Sequence, residues 1–179
     1  IDLLKANCDV WNLDARTDYR RERLSQFSAY QTPLGAKADA AMDEAFTLAT
    51  AHQPVAPLTI SVRGHDVHIP AASPSVARFT FDELCAKPLG AADYIELASR
   101  YPTLFVDHVP TLDYSKRNEA KRFVLLIDTL YDARRRLVAT SAKDAGAIYP
   151  KGDHRFEFGR LRQRQRCERR QFNRTWRIQ

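Results

Sequence analysis

The chain has 179 residues, enough for one domain with an appendage, and 44% of them are hydrophobic, which supports a real core. Its formal charge of +6 is unevenly placed: residues 159–179 hold eight arginines against one acid, Glu168, so the first 158 residues carry −1 and are not a basic, nucleic-acid-like body. No apolar run approaches the roughly 20 residues of a membrane-spanning helix, and the opening stretch lacks the basic start and apolar centre of a secretory signal.

The only methionine is Met42 and the chain opens Ile1-Asp2-Leu3-Leu4, so Ile1 reads as an internal position of a longer protein, cut on its N-terminal side. Ile1 to Cys8 reads as the end of a helix, and Val10-Trp11-Asn12-Leu13 as a short strand. The charged run Asp18-Tyr19-Arg20-Arg21 follows, and Thr32-Pro33-Leu34-Gly35 breaks the chain. Ala36 to Ala51 is alanine-rich and predicts a helix, with Ala41, Ala45, Phe46, Leu48 and Ala49 as its inner face. Leu58-Thr59-Ile60-Ser61-Val62 and Val67-His68-Ile69 alternate around Gly64-His65-Asp66 and predict a β-hairpin. Ala77 to Phe81 is a further strand, Asp82 to Cys85 a helical turn, and Ala91 to Ala98 a helix that runs to Arg100.

The chain is organised around Thr103 to Ala142. Leu104-Phe105-Val106 is a short apolar strand that stops at Asp107, and Arg136-Leu137-Val138-Ala139-Thr140 is a second strand. Between them, Ala120, Phe123, Val124, Ile127, Leu130 and Tyr131 recur at helical spacing and form one apolar face, with Ser115 as the expected N-cap. Two strands joined by such a helix lie parallel, and the carboxyl ends of parallel strands hold ligands; Asp107 and Thr140 are expected there. The fold class is therefore α/β.

The chemistry-bearing motifs are few. The six glycines, at 35, 64, 90, 146, 152 and 159, do not form the phosphate-cradling G-x-x-x-x-G-K-[ST] loop. No nucleophile elbow or zinc-binding H-E-x-x-H is present. The cysteines Cys8, Cys85 and Cys167 lack metal or redox spacing and read as reduced thiols. His65 and His68 have no third ligand in sequence. Asp107 at a strand end is similar to the magnesium-holding Asp of P-loop enzymes, but its neighbour is His108 rather than a second acid; the competing reading is a strand cap. Arg117 and Arg122 are five apart and so not on one helix face; Arg122 either reaches a phosphate or is solvated.

Several motifs, taken together, resemble the ZapE cell-division ATPases and their AFG-like P-loop relatives. They are Asp18-Tyr19-Arg20, Ala77 to Cys85, Pro88 to Tyr94, Arg117 to Phe123, Leu126 to Tyr131, and Tyr149-Pro150 to Phe158. The resemblance covers residues 1–158 and only the C-terminal part of the family's chain. It implies the C-terminal portion of an AAA-type P-loop ATPase, with a parallel strand–helix–strand unit and an inserted β-hairpin. The full-length protein would use ATP and Mg²⁺; this segment would need no cofactor and be inactive alone, because the Walker A and B motifs precede it. It also implies a cytoplasmic protein acting on a protein partner of the division apparatus, with room for a homo-oligomer and with no specific nucleic acid. Arg117, Asn118, Arg122 and Asp107 become the candidate contacts to a nucleotide or neighbouring subunit.

The resemblance stops at Gly159, where the Arg/Gln-rich stretch 159–179 begins. That stretch reads as a disordered tail, as out-of-frame sequence, or as an RNA- or phosphate-binding arm. The alternative to the ATPase reading is a non-enzymatic α/β protein-binding module that works through the Leu58–Ile69 hairpin or the tail. A segment that carries half of a parallel sheet is expected to expose strand edges and to be marginally stable alone.

Overall fold

A computed structural model describes residues 30–51, 53–144 and 147–148. The expected helix at residues 1–8, the strand at 10–13, and the stretch from 149 onward lie outside the described residues, as do Cys8 and Cys167.

Among the described residues six strands form one mixed sheet in the order β1-β6-β5-β4-β3-β2. They are β1 (Tyr30–Gln31), β2 (Ala56–Val62), β3 (His65–Ala72), β4 (Val76–Thr80), β5 (Thr103–Val109) and β6 (Arg136–Ser141). β1, β6, β5 and β4 are parallel; β3 and β2 extend the sheet antiparallel. Among the described residues three α-helices connect them: α1 (Ala36–Thr50), α2 (Ala91–Arg100) and α3 (Arg117–Asp132).

The parallel β5–α3–β6 unit exists because α3 has one wholly apolar side. Ala120, Phe123, Val124, Leu126 and Leu130 are buried, while Arg117, Asn118, Lys121 and Asp132 are exposed. α2 packs beside α3, and Arg135 Nε donates to Ala98 carbonyl oxygen at 2.7 Å, tying the turn after α3 to the end of α2. Phe81 and Phe123 meet edge-on at 5.6 Å in the main core, joined by Ile60, Val67, Ile69, Phe79, Tyr94, Leu97, Leu104 and Val106.

Alternation along the strands sends the other residues to the opposite side. There Val76, Phe105 and Val138 pack under Met42, Ala45, Phe46 and Ala49 of α1. The helix thus uses Met42, fully buried, where the alanine pattern pointed to Ala41 and Leu48; those two are only partly covered.

One connection differs in detail from expectation. Ser115 does not cap α3: it lies in a 3₁₀ turn (Tyr114–Lys116), and Asp113 caps that turn, its carboxylate accepting from the Ser115 amide at 2.8 Å. The expected helical turn after β4 is present and is π-helical, Asp82–Ala86. β2 and β3 are joined by Arg63 and Gly64, both at positive φ, 48° and 89°, as a two-residue hairpin turn requires.

Candidate functional site

Charged groups collect at the carboxyl end of the parallel strands, on the side that α1 covers. Arg78 and Thr80 of β4, Asp107 of β5 and Thr140 of β6 share this side with Val76, Phe105 and Val138 by strand alternation. Arg78 Nε donates to Asp107 Oδ2 at 2.6 Å and Nη2 to Oδ1 at 3.2 Å, a forked pair. Its Nη1 donates to Asp43 Oδ1 on α1 at 2.7 Å, and the guanidinium carbon lies 5.3 Å from the centre of the Phe46 ring. The Asp107 side chain is 9% exposed and that of Asp43 66%, so one carboxylate is internal and the other faces water. Burial opposes the charge on Arg78, and its bonds to Asp107 and Asp43 more than offset that, holding its pKa above the ordinary arginine value.

Next to this pair, His108 adopts a left-handed backbone at φ 59° where a bulge interrupts the β5–β6 register between Val106 and Val109. The bulge turns the His108 amide onto Thr140 Oγ1 at 2.8 Å, and the ring Nε2 lies 3.0 Å from Asp39 Oδ1 on α1. Asp39 and Asp43, one turn apart, therefore anchor α1 to β5 and β4 by two polar contacts.

The α3 residues lie elsewhere. Arg117 and Asn118 are exposed at the start of the helix. Arg122 is half-buried and donates from Nη1 to the Cys85 carbonyl at 2.9 Å, fastening α3 to the π-helical turn. α3 covers the main-core side of the sheet and Asp107 points to the α1 side, so the sheet stands between Asp107 and the other three. The structure brings Arg117 and Asn118 together, gives Arg122 an internal partner, and sets Asp107 apart.

Around the π-helical turn, burial raises the Cys85 thiol and the Tyr94 phenol well above their ordinary values. Tyr94 donates to the Leu84 carbonyl at 2.8 Å. His65 Nε2 sits 2.8 Å from the buried Asp93 Oδ1, an oxygen with no aligned hydrogen bond, while Asp93 Oδ2 accepts from the Gly90 amide at 2.8 Å and steadies the start of α2. His68 Nδ1 meets Thr59 Oγ1 at 3.3 Å. The two histidines have separate partners, and the described residues contain no group of three potential metal ligands.

A Mg²⁺–nucleotide does not fit this donor set: both Asp107 oxygens accept from Arg78, and the sequence has no glycine loop to wrap phosphates. What the arrangement does is fix α1 against the sheet, through Asp43 to Arg78 and Asp39 to His108.

The model of the AFG1-like ATPase family matches residues 1–171. The chain belongs to the AFG1-like ATPase family. It is 35% identical over 152 residues to an uncharacterized protein of Schizosaccharomyces pombe, covering 84% of this chain and 34% of that protein. It is 34% identical over 141 residues to lactation elevated protein 1 homolog B of Danio rerio, covering 77% and 28%. It is 32% identical over 165 residues to the cell division protein ZapE of Escherichia coli, covering 89% and 43%. The chain therefore spans less than half the length of the curated relatives it matches. The family match takes in part of the arginine-rich stretch as far as residue 171. No solved structure matches the chain.

Sequence reasoning missed the roles of Asp39, Asp43 and Arg78. A signal for the last existed: Arg78 interrupts the apolar strand Val76-Ala77-Arg78-Phe79 as Asp107 ends an apolar one, and opposite charges in two buried strands are a pairing signature.

Proposed function

We propose that this chain is the C-terminal part of an ATPase that hydrolyses ATP with Mg²⁺ and uses the energy to act on a protein partner. The family match along residues 1–171 carries this reading. The phosphate loop and the Mg²⁺-holding acid are supplied by the portion of the protein that precedes Ile1; this chain contributes a rigid AAA-type subdomain. The similarity to the cell division protein ZapE supports a partner in the division apparatus; a cytoplasmic setting belongs to the same proposal.

Within this segment we assign the contact to a nucleotide or an adjoining subunit to Arg117 and Asn118; their exposure at the start of a 16-residue helix supports this reading. Arg122 and Asp107 serve that surface from inside, by holding α3 and the sheet in place. The division of labour is tested by adding a fluorescent ATP analogue to residues 1–179 and to the longer protein. Binding by the longer protein alone is expected; Mg²⁺-dependent binding by residues 1–179 would refute the assignment.

A second reading, a non-enzymatic binding module acting through the β2–β3 hairpin, is favoured by one observation: β2 is an outer strand without a single charged residue.

A further inference from the structure

β2 ends the sheet, and among the described residues nothing pairs with its outer edge. Natural edge strands are guarded by charge, proline or brevity. β2 runs seven residues, Ala-Pro-Leu-Thr-Ile-Ser-Val, with no charge and its one proline, Pro57, at the irregular start beside Leu58. Leu58 is 44% exposed and the neighbouring Val55 42%.

The register says which groups face outward. Val62 and His65 flank a two-residue turn and so form a hydrogen-bonded pair; such pairs alternate, so Ile60 with Val67 and Leu58 with Ile69 also bond inward. Thr59 and Ser61 therefore aim their amides and carbonyls away from the sheet. The close Thr59–His68 side-chain contact at 3.3 Å is what a non-hydrogen-bonded pair gives.

We propose that β2 pairs with β2 of a second copy of this chain, antiparallel and centred on Ile60, so that two six-stranded sheets join edge to edge. The pattern Leu58-Thr59-Ile60-Ser61-Val62 is symmetric in polarity about Ile60. In the two-fold pair Leu58 meets the partner's Val62, Thr59 meets the partner's Ser61, and Ile60 meets itself: apolar against apolar, polar against polar. The outward amides of Thr59 and Ser61 find the outward carbonyls of the other copy, and Pro57, which has no amide to give, falls outside the paired core. No charge has to be desolvated or paired. A five-residue strand pair is smaller than a standard protein interface, so the association is reversible and concentration-dependent. It requires no ATP and goes beyond the ATPase reading, and neither stands or falls with the other.

The test is sedimentation equilibrium of residues 1–179 from micromolar to near-millimolar concentration, without nucleotide. A monomer–dimer equilibrium is expected, weakened about tenfold or more by L58K, which places a charge in the pair. S61P, which removes an outward amide and no amide of the β2–β3 ladder, weakens it independently, so a folding defect in one variant does not decide the matter. Mixed T59C and S61C proteins should form a disulfide-linked dimer in excess of either alone. A monomer at every concentration overturns the proposal, whether the edge is bare or is covered by residues 1–29 or 149–179 of the same chain. A dimer indifferent to both L58K and S61P overturns it too.

Discussion

Arg78 reaches diagonally across two parallel strands to grip Asp107: its register partner on β5 is Phe105, and the carboxylate lies two residues further on the same side. The fork at 2.6 and 3.2 Å occupies both Asp107 oxygens, and the third arm of the guanidinium ties in Asp43 of α1. The residue that most resembled a catalytic acid in sequence is thus half of a largely internal ion pair, which holds the helix-bearing side of the sheet together.

Removing one member of such a pair strands the other. D107N is expected to destabilise the chain by about 3 kcal/mol, because Arg78 then keeps only the solvent-facing Asp43. D43N removes a screened, exposed partner and should cost under about 1 kcal/mol. Urea unfolding of the two variants checks this. Equal losses would mean the pair is not internal.

How much of this was legible beforehand divides by range. Most of the α3 face was readable, because helical period is a local property: Ala120, Phe123, Val124 and Leu130 are buried and Ile127 packs against the core, whereas Tyr131, expected there, is 40% exposed and Leu126, not expected there, is buried. The extents of β4 and α2 followed to within about one residue from Pro, Gly and charge punctuation for the same reason, whereas β5 runs past its expected stop at Asp107 to Val109. The Arg78–Asp107 pair spans 29 positions and depends on strand register, which no local pattern encodes. On α1 the expected Ala45, Phe46 and Ala49 do pack inward, but Met42 was missed in favour of Ala41 and Leu48, because alanines are equally at home on either side of a helix and only packing selects Met42. Ser115 looked like a cap by residue type, but Asp113, two residues earlier, has the backbone geometry to accept its amide. Of the four candidate contact residues, Arg117 and Asn118 lie together at the start of α3, whereas Arg122 and Asp107 have internal partners on opposite sides of the sheet.

Arg122 fastens α3 to the π-helical turn through one carbonyl. R122A leaves the Cys85 carbonyl without that donor and should lower stability by about 1–3 kcal/mol. R122K, with a single amine on a shorter reach, should recover only part. Thermal unfolding with matched hydrogen exchange at Leu84 and Cys85 measures both. If exchange in that turn is unchanged in R122A, the clamp is not functional.

The raised Cys85 and Tyr94 values make stability fall on the alkaline side. Above the ordinary thiol range, near pH 8.5, the unfolded chain loses the Cys85 proton while the folded chain keeps it, so the unfolded state gains; Tyr94 adds the same effect from about pH 10. The melting temperature should therefore decline between pH 8.5 and 10.5, and C85A should flatten the first part of that decline. A melting temperature that stays level in the wild-type chain would show that neither group is raised.

Asn118 is exposed, and N118A is expected to leave the fold within about 0.5 kcal/mol of wild type. In the longer protein the same change, and R117A with it, should lower ATP turnover or subunit association. Unchanged turnover and association in both variants would remove the start of α3 from the functional surface.

The proposal that this segment belongs to an ATPase whose phosphate-handling residues lie outside it is tested by Mg²⁺-dependent phosphate release from ATP, measured for the longer protein and, separately, for purified residues 1–179. Turnover is expected from the longer protein and none above buffer from residues 1–179. Turnover by residues 1–179 alone, or a longer protein that folds but never hydrolyses ATP, overturns it.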